Sequence, residues 1–200
     1  MCAAINEEYS QRYWNLFDLL QQAYMDRYLL EEIVNYTEDI KQYGGTYKTK
    51  AYSVLGHISA LLKKDLCLVI WKVYCDGDNR ANTIQALNRY LMPITGKHYK
   101  TKISKDIRPL EETLKTMRRQ WLAHNDQQQD DLSILTTDLY RMLDEICELL
   151  NGMMEKSVAS NVMAFSESTK NALRNRSTIG LKSMIYRDEK PVVIVPKPQP

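Results

Sequence analysis

Two arginines and a histidine stand close together in Met117-Arg-Arg-Gln-Trp-Leu-Ala-His-Asn-Asp126, the stretch of the chain best suited to chemistry. Spacing alone carries little weight, because composition by itself produces such Arg/His pairs. Helical geometry carries more. At about 100° per residue, His124 continues the face of Leu110 and Met117, Arg118 sits at its edge, and Arg119 points to the opposite side. Asn125 and Asp126, followed by three glutamines, predict a loop, so His124 falls where a packed helix meets solvent. An imidazole in that position titrates near neutrality, and a neighbouring guanidinium can hold a phosphate. Those are the needs of phosphodiester chemistry. The bland alternative is a structural histidine satisfied by a backbone carbonyl, with the arginines paired to the acidic stretch after Asp126.

The elements that must position these groups read as helices throughout. Residues 8–42 carry Tyr13, Phe17, Leu20, Tyr24, Leu29, Ile33 and Tyr36 at helical spacing, and Gly44 and Gly45 end the run. A second helix is expected over 50–74, apolar nearly all round from Leu61 to Val73 and therefore buried. Cys75-Asp-Gly-Asp-Asn reads as a turn, and a short helix over 82–91 is expected to stop at Pro93. Ile103, Ile107, Leu110, Leu114, Met117 and Trp121 then alternate spacings of four and three, a seam for helix packing. A fifth helix is expected over 132–154, with Leu135, Leu139, Met142, Ile146 and Leu149 inward. Beyond it lies a basic extension with one more helix near 167–174 and a proline-rich end. Tyr-Lys-Thr-Lys occurs at 47–50 and at 99–102, each time ahead of an expected helix, and four residues are too few to argue a repeat. The reading is all-α: a bundle over 1–157 and an extension over 158–200 that is partly helical and then extended.

Composition is that of a globular chain, with 44% hydrophobic and 26% charged residues and only 7 Gly and 6 Pro. Cys2, Cys67, Cys75 and Cys147 have no metal-ligand spacing and read as reduced thiols, which fits a cytoplasmic protein. The most apolar stretch is interrupted by Lys63, Lys64 and Asp65, which argues against a membrane span. Acidic and basic segments alternate: residues 46–75 and 97–120 are basic, residues 1–45 and 126–157 acidic. That alternation fits charge pairing between helices, and it equally fits an RNA-facing patch. Lys97, Lys100, Lys102 and Lys105, with Tyr99 and His98 among them, are the lysines placed to guide an RNA backbone, unless they form only a solvated approach to a helix. His57, inside the apolar second helix, reads as a core or interface histidine, and His98 as solvated. A phosphate-binding glycine loop and a dinucleotide fingerprint are both missing, so kinases and dehydrogenases find no support.

Met117-Arg118 and Leu122-Ala-His-Asn-Asp126 resemble the R-x(4–6)-H signature of the HEPN superfamily (higher eukaryotes and prokaryotes nucleotide-binding helical bundles). The likeness is greatest to its abortive-infection (AbiU-like) branch, where the motif reads like LR-x-x-x-LAHND. Cys75-Asp-Gly-Asp followed by Thr83-Ile-Gln-Ala-Leu87 is similar to a second feature of that branch, and the resemblance spans residues 5–157. It implies a HEPN-like antiparallel bundle acting as a homodimer, and a metal-independent endoribonuclease serving as a toxin or phage-defence effector. No cofactor is implied, and a cognate antitoxin is a further partner of the kind such toxins have. By position, Arg118 takes the place of the motif arginine and His124 that of the histidine. Arg119 stands where active members carry a small polar residue, and it also fits the allowed spacing as an alternative arginine. Asn125 would orient the phosphate or cap the loop. The alternative within the same resemblance is a non-catalytic binding or interaction protein.

Overall fold

The structure, a computed structural model, describes residues 2–42, 50–78, 81–123 and 134–185. It is all-helical, with no strand among the described residues. Helix α1 (Cys2–Gln42) is followed by α2 (Lys50–Ile70), which passes into a single π-helical turn (Trp71–Cys75). Then come α3 (Ile84–Thr95), α4 (Leu110–Ala123), α5 (Thr136–Gly152) and α6 (Glu167–Ile185).

At 41 residues α1 is the spine, roughly 60 Å long at 1.5 Å per residue. Its Tyr9, Tyr13, Phe17, Leu20 and Tyr24, spaced by three and four, are all buried. Around them pack Leu66 and Ile70 of α2, Leu87 and Leu91 of α3, Leu114 of α4, and Leu139, Met142 and Ile146 of α5. Direction follows from paired positions. Tyr9 donates to the Met153 carbonyl and Tyr24 to Asp144, so α5 runs antiparallel to α1. Gln22 bonds Asp65 while Ile33 packs on Leu55, so α2 is antiparallel too. Lys170 lies over Tyr24 and Arg174 over Tyr28, so α6 runs parallel to α1.

Residues 153–166 make that parallel return possible. They climb along α1, with Tyr13 donating to the Met163 carbonyl at 2.9 Å and Phe165 wedged between Phe17 and Tyr24 at 4.8 and 5.0 Å. The Asn151 side chain pairs with both the N–H and the carbonyl of Phe165. Val158, Ala159, Val162, Phe165 and Leu173 are buried in the same core, so packing runs without a break past residue 157.

Several sequence expectations change. Ile103 and Ile107 are buried as the seam predicts, but in an irregular stretch rather than in a helix. Pro109 is the cause: it disfavours helical backbone at Arg108, and α4 begins only at Leu110. The second Tyr-Lys-Thr-Lys therefore lies in irregular chain and not at a helix start. Pro93 does not stop α3; it sits in the last turn and the helix ends at Gly96, whose φ of 68° closes a left-handed cap. Leu135 is 65% exposed and precedes α5 rather than packing within it. The last helix is longer than expected, 19 residues. On α2, burial is confined to one side, and Val54 and Leu61 are exposed. No helix among the described residues is long and apolar enough to cross a membrane.

Candidate active site

Arg118 lies on α4 one residue past the buried Met117, at the rim of the core. Its guanidinium stacks over the indole of Trp71, with Cζ 3.7 Å from the ring centroid. Trp71 is the first residue of the π turn and is only 8% exposed. Among the described residues no carboxylate lies within ion-pair distance of Arg118, so none of the described acids takes up its in-plane N–H donors. Arg119, the next residue, is exposed and acts at range on Glu112, whose carboxyl is lowered chiefly by its hydrogen bond to Lys115. Sequence left two arginines open. The structure separates them, one stacked against the core rim and one in solvent.

The scaffold beneath Arg118 is tied down from several directions. The π turn closes with the Asp76 N–H donating to the Trp71 carbonyl at 3.0 Å. Thr83 caps α3 by accepting from the Ala86 N–H. The Tyr74 hydroxyl accepts the Ile103 N–H at 3.1 Å, linking the π turn to the stretch that feeds α4. Burial pushes the Tyr74 phenol up to about 12, so it stays protonated. From α5, Glu145 accepts the Ser104 N–H and Arg141 pairs with Asp106. Helix α4 thus starts from a fixed point.

The lysine group divides. Lys97 is paired with Glu155 at 2.8 Å, and Tyr99 donates to the same carboxylate at 2.7 Å. Those two bonds hold the Glu155 carboxyl below its ordinary value. Lys97 is thus an exposed lysine that already has an acidic partner. Lys100, Lys102 and Lys105 are exposed, as is His98. His57 is exposed on α2 and is not a core histidine: it falls on the open side of a helix buried along one face only. His124 and Asn125 lie outside the described residues. Among those described, no group of three or more His, Cys, Asp or Glu side chains could hold a metal. Cys67 and Cys147 are buried free thiols, pushed up to about 12 and about 11 by burial, and are poor nucleophiles.

Trp71 is the residue that sequence reasoning missed. In the sequence it is one more apolar position in a long apolar run, and nothing marks the change from α to π winding that begins there. No protein family, curated protein or solved structure matches the chain.

Proposed function

We propose that the chain is a HEPN-type, metal-independent endoribonuclease acting as a toxin or phage-defence effector on cytoplasmic RNA. The observation that carries this reading is the Arg118 guanidinium, stacked on Trp71, free of any described acid and six residues before His124. In the proposed step the ribose 2′-oxygen attacks the adjacent phosphorus as its proton passes to a base. The bond to the 5′-oxygen breaks, that oxygen takes up a proton, and a cyclic phosphate is left. His124 serves the proton transfers, a role worth typically about 10²–10⁴-fold. Arg118 stabilises the charge that builds on the phosphoryl oxygens. Asn125 orients the phosphate, Arg119 adds positive charge from solvent, and Lys100, Lys102 and Lys105 receive the RNA backbone.

The reading includes a homodimer of HEPN-like bundles in which two copies of the motif share a cleft. In its support, α2 leaves Val54 and Leu61 exposed at a seven-residue spacing, with the half-buried Leu68 next in the series. Expression in a bacterial host tests the activity: the wild-type chain should arrest growth, and His124→Ala should relieve the arrest. A wild type without effect would favour the non-catalytic binding reading, to which the Arg119 substitution in the motif already points.

A further inference from the structure

We infer that Trp71 is a positioning residue for Arg118, and that the π turn exists to present its ring. The inference rests on the proposed role of Arg118 toward RNA. Three observations converge on it. First, at 3.7 Å the guanidinium carbon is at van der Waals contact with the ring face, so the cation lies on the indole rather than beside it. Secondly, the indole is nearly buried and set in a chain segment held at both ends: Ile70 precedes it in the core, Val73 and Tyr74 follow it there, and Tyr74 accepts the Ile103 N–H. A ring so held has one place to be. Thirdly, the π turn starts at Trp71 itself, with the Asp76 N–H reaching back five residues to its carbonyl. Such single π turns cost a helix regular hydrogen-bond geometry and persist where they place a side chain.

The chemical consequence is specific to arginine. Stacking occupies a face of the guanidinium and leaves its N–H edge free, and that edge is the fork that matches two phosphate oxygens. An arginine on the core rim with no described acid to hold it would otherwise sample many rotamers. Fixing it beforehand removes the ordering cost from the binding step. A lysine could also sit over the ring, as Lys170 does over Tyr24, but its ammonium has no planar fork to present to two phosphate oxygens.

The test measures binding of the full chain to a 2′-O-methyl RNA oligonucleotide, which cannot undergo 2′-oxygen attack, by fluorescence anisotropy. Thermal melts accompany each variant. Trp71→Leu should weaken binding by about 3- to 30-fold, the span expected for a cation–π contact, and Trp71→Phe should recover most of it. In an Arg118→Ala background, Trp71→Leu should add less than about twofold, because its partner is already gone. Should Trp71→Leu melt early, Arg118→Lys reads the loss of the oriented fork with the π turn untouched: it should bind more weakly than the wild type despite keeping its charge. Wild-type binding by Trp71→Leu, an additive loss in the Arg118→Ala background, or wild-type binding by Arg118→Lys would each overturn the positioning role alone. Unchanged binding by Arg118→Ala would overturn the site reading itself, and this inference with it.

Discussion

Asp26 of α1 and Asp65 of α2 meet as two carboxyl groups across the helix interface, with the Gln22 amide donating to Asp65 Oδ2 at 2.8 Å. Asp26 is 8% exposed and its Oδ2 has no hydrogen-bond partner among the described groups. Burial first, and then the charge and hydrogen bond of Asp65, push the Asp26 carboxyl up to about 7. The Asp26 carboxyl therefore keeps its proton to higher pH than a free aspartate does.

The sign of the pH dependence follows. Folding raises the Asp26 pKa, so the folded chain binds the proton more tightly than the unfolded one. The contribution of this group is full below about pH 4 and is lost as pH rises through about 7. Asp26→Asn supplies a permanent donor to Asp65 and should remove the dependence. Its advantage over the wild type in chemical denaturation should grow from little at about pH 4 to on the order of 1–3 kcal/mol or more at about pH 8. A constant difference across that range would contradict a raised Asp26 carboxyl.

A second polar cluster joins α1, α5 and α6. Asp144 accepts from Tyr24 and from Arg27, and Lys170 approaches it at 3.7 Å. Burial works against the Arg27 charge, but the hydrogen bonds of Glu31 and Asp144 outweigh it and hold the guanidinium protonated. Tyr24→Phe keeps the ring packing and removes a single bond, so it should cost about 1–2 kcal/mol. Asp144→Ala leaves a buried hydroxyl and a half-paired guanidinium, and should cost more than Tyr24→Phe in the same urea titration. Equal costs would mean the carboxylate does not organise the cluster.

Phe165 tests where the folded unit ends. Packed on both Phe17 and Tyr24 and 2% exposed, it should cost about 3–5 kcal/mol when replaced by alanine. A chain cut after residue 157 should fail to give a cooperative thermal transition, since Val158, Val162, Phe165 and Leu173 leave the core together. Cooperative melting of the shortened chain would show instead that the first 157 residues suffice.

Periodicity made the helices of this chain legible because long amphipathic segments repeat one signal many times. Tyr13, Phe17, Leu20 and Tyr24 declare the buried side of α1 without any knowledge of its partners. The same signal misled at 103–109, where Ile103 and Ile107 keep helical spacing but Pro109 decides the backbone. At Pro93 the expectation failed because a proline in a last turn removes only its own N–H bond, and the helix still closes with the Gly96 N–H on the Met92 carbonyl. Leu135 is apolar and in register, yet it caps a helix from solvent. In the site, Arg118 and Arg119 were visible as residue types, and helical phase told core rim from solvent. The Trp71 platform was not visible, because a π turn changes winding without changing composition, and the contact joins residues 47 positions apart in sequence.

The most direct measurement incubates the purified chain with a fluorescent single-stranded RNA in excess chelator and identifies the product ends. The account predicts cleavage with a 2′,3′-cyclic phosphate, lost by on the order of 10²-fold or more in both Arg118→Ala and His124→Ala, with Arg119→Ala far less affected. Cleavage that persists in Arg118→Ala, or that depends on Arg119 instead, would contradict it.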